Sequence, residues 1–149
     1  MTRKKPKLSH YIICDDIRRE IGNKISLIGL YQETILVSSL PYIFPKLCFH
    51  IEFKDVKSGI IMRFKLITPT NTEIFTIPPM PIPLPHDVPT KRKYGIFVCD
   101  LEATGIKVTE EGVYRLQCIL GEENSVMPEI KFNVQKRSKQ IQDKSPSSG

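Results

Sequence analysis

Two places in this chain combine residue types and spacing that can do chemistry. Cys48 and His50 stand two apart within Lys46–Phe53. Alternate residues of a strand share a face, so the thiol and the imidazole point the same way. Together they supply half of a tetrahedral zinc site. Spacing nominates no further ligands, because His10, Cys14, His86 and Cys99 lie elsewhere in the sequence. A packed second layer of side chains is the simpler reading of the pair. The other place is Asp15-Asp16-Ile17-Arg18-Arg19-Glu20, the densest polar run. Paired carboxylates can hold a cation or exchange protons. Here the two aspartates are neighbours, which in a strand sends them to opposite faces. Arg18, Arg19 and Lys24 are close by to neutralise them. Asp15, Asp16, Arg18 and Glu20 therefore read as a structural polar cluster in which Arg18 pairs with one of the acids. No Gly-rich phosphate loop, G-x-S-x-G or H-E-x-x-H occurs. The sequence nominates no catalytic residue and no cofactor.

The elements that must carry these residues are strands. Leu8–Cys14 is a short apolar run, and Asp15–Lys24 reads as a polar connection with a turn at Gly22-Asn23. One helical turn through Ile17–Ile21 is an alternative within it. Lys24–Tyr31 is apolar again, and Thr34–Val37 is a short strand candidate. Pro41 and Pro45 bracket Tyr42-Ile43-Phe44, which must be extended or at an edge. Lys46–Phe53 alternates cleanly: Leu47, Phe49, Ile51 and Phe53 share the face expected to be buried. Ile60–Thr68, Thr72–Ile77, Tyr94–Leu101 (continuing to Val108 past Gly105), Val113–Leu120 and Glu129–Gln135 follow, separated by turn signals. No window shows a sustained 3.6-residue apolar period. Frequent short strands predict an all-β fold, an antiparallel β-sandwich of immunoglobulin-like general architecture. The stretch Glu110–Leu120, EEGVYRLQCIL, resembles a late strand of such sandwiches.

The chain has 149 residues, enough for one domain that folds without disulfides or metal. The expected division is a basic arm over 1–7, the sandwich over 8–135 and a disordered basic tail over 136–149. Four cysteines occur, none in a C-x-x-C pair, and each follows or sits within an apolar run. They read as buried free thiols. The basic N-terminus is followed by no signal-peptide h-region, and no run reaches the roughly 18 apolar residues of a membrane span. A cytoplasmic protein without a membrane role is the expectation.

Charge is unevenly placed. The formal net charge is +6, yet residues 8–135 hold 14 basic and 15 acidic side chains. The excess lies in Arg3, Lys4, Lys5 and Lys7, and in Lys136, Arg137, Lys139 and Lys144. A nucleic-acid role would therefore be weak and dependent on the tails. The most plausible contact surface is Pro78–Pro89, with six prolines in twelve residues. It reads as an extended polyproline-II-like connection, preordered for binding. Met80, Ile82 and Leu84 would meet a protein partner or a second copy of the chain. Lys91, Arg92 and Lys93 would add an anionic contact.

Residues 14–47 resemble an uncharacterised family of bacterial and phage-type proteins, a domain of unknown function. The resemblance is carried by three motifs: D-D-x-R-x-E at Asp15–Glu20, K-x-S-L-I-G-x-Y at Lys24–Tyr31, and P-x-x-x-P-K-L at Pro41–Leu47. It implies a small β-sandwich and brings no reaction, cofactor or catalytic residue. The leading functional expectation is a non-enzymatic interaction or accessory module. The alternatives are a nucleic-acid-associated protein and an enzyme of unrecognised type.

Overall fold

A computed structural model describes residues 6–57, 60–81, 94–121 and 129–138. Nine strands occur among them: β1 (Lys7–Glu20), β2 (Lys24–Leu30), β3 (Thr34–Val37), β4 (Tyr42–Lys57), β5 (Ile61–Ile67), β6 (Glu73–Pro81), β7 (Tyr94–Val108), β8 (Gly112–Leu120) and β9 (Ile130–Lys136). They form two sheets, one in the order β2-β1-β4-β7 and one in the order β3-β9-β8-β5-β6. The fold is all-β, as the alternation required. The sheets are antiparallel except for β3, which runs parallel to β9. No helix among the described residues is long and apolar enough to cross a membrane.

The core lies between the sheets and follows the alternation of the sequence. Leu47, Phe49, Ile51 and Phe53 of β4 are buried, facing Met62, Phe64 and Leu66 of β5, Tyr114, Leu116, Cys118 and Leu120 of β8, and Ile130, Phe132 and Val134 of β9 in one cluster. Phe132 stacks on Tyr114 and tilts against Phe49, which ties the two sheets together. The Tyr114 hydroxyl donates to the carbonyl of Glu110 at 2.9 Å, so the acidic-Gly turn is pinned to the strand that follows it.

Two local expectations are corrected. Asp15–Glu20 is neither a connection nor a helical turn. It is the second half of β1, with Asp16–Glu20 paired residue by residue with Lys24–Ile28 around the Gly22-Asn23 turn. Cross-strand pairing satisfies the backbone there, and polar composition does not forbid it. β6 continues past Ile77 to Pro81, so the first prolines of the Pro-rich segment lie in a strand. They are tolerated because β6 is an edge, where a missing N–H deprives no neighbour. The same logic explains Pro45 inside the long β4. β1 pairs with β4 only from Lys7 to Cys14, so at Pro45 β4 pairs with β7 alone and is locally an edge.

The departure of β1 from β4 after Cys14 shapes the molecule. Up to that point β1 is part of a four-stranded sheet. Beyond it, β1 and β2 continue as a two-stranded ribbon, most of whose residues are exposed.

Candidate functional site

The outer face of the four-stranded sheet carries the densest group of chemistry-bearing side chains. It is built by the residues that alternate with the core: His10, Ile12, Cys14 and Asp16 of β1, Lys46, Cys48, His50 and Glu52 of β4, and Asp100 and Glu102 of β7. Register sets their rows. Cys14 faces Cys48, which faces Glu102, and Ile12 faces His50, which faces Asp100. His10 faces Glu52.

At the end where the ribbon leaves, the three sequence motifs meet. Asp16 accepts from Lys46 at 3.0 Å and from Arg18 at 3.1 Å, and Lys46 also reaches Glu102 at 2.6 Å. These cations hold the Asp16 carboxyl below its ordinary pKa, and the two acids raise the Lys46 ammonium above its own. On the opposite face of the ribbon, Tyr31 donates its hydroxyl to Asp15. Burial and this carboxylate raise the tyrosine's pKa. Asp15 lies directly over Gly29, where a Cβ would collide with it. Gly29 also has φ +69°, a conformation glycine adopts without strain. Glu20 stands opposite Lys24 near the ribbon's tip.

The expected polar cluster is thus split. The alternation sends Asp15 and Asp16 to opposite faces, and Arg18 takes Asp16 as its partner. Tyr31 and Lys46, from the second and third motifs, were given no role by sequence reasoning. Only the register of β1 against β2 and β4 places them.

Cys48 and His50 do share a face, but they do not share a site. The Cys48 thiol is buried, donates to the Asp15 carbonyl at 3.7 Å, and has its pKa pushed up to about 11 chiefly by burial. Cys14 is likewise buried and raised, and it donates to the Asp16 carbonyl at 3.5 Å. Cys99 and Cys118 are pushed up to about 12 by the same cause. All four thiols are free, and thiols raised by apolar surroundings are poor nucleophiles. His50 turns instead to Asp100, with Nδ1 2.5 Å from Oδ1. His10 brings Nδ1 within 3.2 Å of Glu52 Oε2, and the two imidazole rings lie 6.1 Å apart. Among the described residues, no group of three or more His, Cys, Asp or Glu side chains is placed to hold a metal ion.

The sequence pattern of a family of unknown function, DUF6941, matches residues 9–135. The chain belongs to that family. The matched span includes every residue named on this face. No curated protein matches the chain.

Of the other residues singled out from the sequence, Ile82, Leu84, Lys91, Arg92 and Lys93 lie outside the described residues. Met80 is in β6 with its backbone opposite Met62.

Proposed function

We propose that the domain is a non-enzymatic interaction module that takes up an extended segment of a protein partner along the free edge of β2. The observation that carries this is the exposure of apolar side chains on the ribbon. Ile21 is 95% exposed, Leu30 60%, Ile28 40% and Ile25 39%. The four outermost strands support the same reading when compared. β6 carries Pro78, Pro79 and Pro81, β3 is four residues long, and β7 carries Asp100, Glu102 and Lys107. Those are the devices that blunt an edge against pairing. β2 has a single charge, Lys24 at its first position, and otherwise reads Ile-Ser-Leu-Ile-Gly-Leu. An extended partner would gain main-chain hydrogen bonds along it and set alternate side chains beside Ile28 and Leu30. The immunoglobulin-like reading of the architecture rests on the Tyr114–Glu110 hydrogen bond, the corner common in such sandwiches. A cytoplasmic setting in a bacterium or phage-infected cell completes the proposal.

The test places charge on the edge. Wild type and an Ile25→Lys/Ile28→Lys variant are used as bait in lysate of the native host, and both are sized by sedimentation. The expected result is a partner retained by wild type and lost by a variant that still melts cooperatively. Identical captured proteins and identical sedimentation for the two would refute the edge as the contact.

A second reading, weak nucleic-acid binding, is favoured by topology. β1 and β7 both run antiparallel to β4, so both start at the same end of the sheet. At that end Lys54 faces Lys7 across the β1–β4 pair. Like charges directly opposite are unfavourable unless an anion joins them. Binding to a labelled oligonucleotide should then be salt-sensitive and lost from a chain of residues 8–135. Salt-resistant binding by that shorter chain would contradict the reading.

A further inference from the structure

The outer face holds two of the chain's three histidines side by side, and this arrangement has no role in the edge-binding reading. His10 and His50 are diagonal neighbours across the β1–β4 pair: His10 faces Glu52, and His50 faces Ile12. Each ring turns Nδ1 toward a carboxylate, at 3.2 Å from Glu52 and 2.5 Å from Asp100. A carboxylate at Nδ1 selects the tautomer that carries its proton there, leaving a lone pair on Nε2. Metal-binding histidines are ordinarily oriented in this way, with the second nitrogen tied to a carboxylate that also raises the basicity of the first.

We infer that His10 and His50 form an open two-imidazole site for a divalent late transition metal, with Glu52 and Asp100 as the positioning carboxylates behind it. Ring spacing agrees with this. Zinc lies about 2.0–2.1 Å from an imidazole nitrogen, which puts the centres of two rings on one tetrahedral ion about 5 Å apart. The observed spacing is 6.1 Å, and the side chain that would have to move to bind, His10, is half exposed. His50 and both carboxylates are more enclosed, so the half of the site that must stay fixed is the packed half. Two carboxylates behind the two imidazoles also give the position a negative field suited to a dication.

Ligand chemistry selects the metal. Imidazole nitrogen suits zinc, copper and nickel, whereas magnesium and calcium want oxygen. The buried thiols of Cys14 and Cys48 occupy the next row of the face and donate to backbone carbonyls, so they are not ligands. The protein therefore supplies two ligands, and water or a partner's side chain fills the rest of the shell. Such a site binds more weakly than a four-ligand one.

The test is calorimetric titration of the full chain with zinc chloride, and separately with magnesium chloride, near neutral pH. Imidazole nitrogen NMR spectra are recorded alongside. One zinc per chain should bind, with the Nε2 signals of His10 and His50 shifting, and magnesium should bind no better than buffer. His10→Gln should weaken zinc at least about tenfold with an unchanged melting curve. Asp100→Asn should weaken it about ten- to hundredfold and alter the His50 tautomer signal in the metal-free protein. A positioning carboxylate does both, and a merely structural one does not. The proposal is overturned by the absence of one-to-one zinc binding, by zinc binding that His10→Gln and His50→Gln leave intact, or by magnesium binding as well as zinc.

Discussion

The two halves of β1 have different surroundings. From Lys7 to Cys14 the strand is flanked by β4 and contributes Ile13 to a buried core. From Asp15 to Glu20 it has only β2 beside it, whose Ile25, Ile28 and Leu30 face water. Both halves have strand geometry, but different forces hold them. The sandwich half is stabilised by apolar burial, which scales with area removed from water. The ribbon half depends on backbone pairing and on its anchor: Asp15 over Gly29 with Tyr31 on one face, and Asp16 between Lys46 and Arg18 on the other. A two-stranded ribbon alone is marginal in water, so the anchor sets how firmly the exposed edge is presented. Binding surfaces tend to come from such lightly held elements on a rigid base.

The sharpest way to test this contrast is to damage the base. Phe49→Ala removes a buried ring from the layer shared with Phe132 and should cost about 3–5 kcal/mol in chemical denaturation. A loss below about 1 kcal/mol would mean that the core face of β4 is misassigned.

The anchor predicts a smaller and more local effect. Gly29 and Gly105 have nearly the same backbone, at φ +69° and +68°, but only Gly29 has a side chain pressed over it. Gly105→Ala should cost about 1–2 kcal/mol from left-handed strain alone. Gly29→Ala should cost about 1 kcal/mol more, because Asp15 must shift and release Tyr31. Hydrogen exchange should place the extra loss in the amides of β1 and β2 beyond Cys14. Equal losses at the two glycines would show that the anchor contributes nothing.

The smallest effect is electrostatic. Asp16 titrates below its unfolded value, so its ion pairs stabilise the fold above that unfolded pKa, and the contribution fades as pH falls through the lowered folded one. The stability difference between wild type and Asp16→Asn should accordingly be flat near neutrality, shrink below about pH 4, and shrink in high salt. A difference that grew on acidification would reverse the assigned direction.

Much of the sandwich was legible in the sequence because a strand half in contact with a core must alternate. Leu47–Phe53, Tyr114–Leu120 and Ile130–Val134 announce which side is buried wherever their partners lie. Composition also foretold four buried thiols, since Cys14, Cys48, Cys99 and Cys118 keep apolar company. The strand identity of Asp15–Glu20 was not legible. A ribbon exposed on both faces has no burial pattern to impress on its residues, and polar strands look like loops.

The candidate sites depended on tertiary structure. Alternation alone states that His50 shares a face with Cys48, and that Asp15 and Asp16 part. It cannot state that His50 meets His10 from a strand 40 positions earlier, or Asp100 from one 50 later, because those meetings depend on register between strands that are distant in the chain. Register is set by the whole set of cross-strand pairs and by where β1 leaves β4, and a slip of one residue would turn every one of these side chains to the other face.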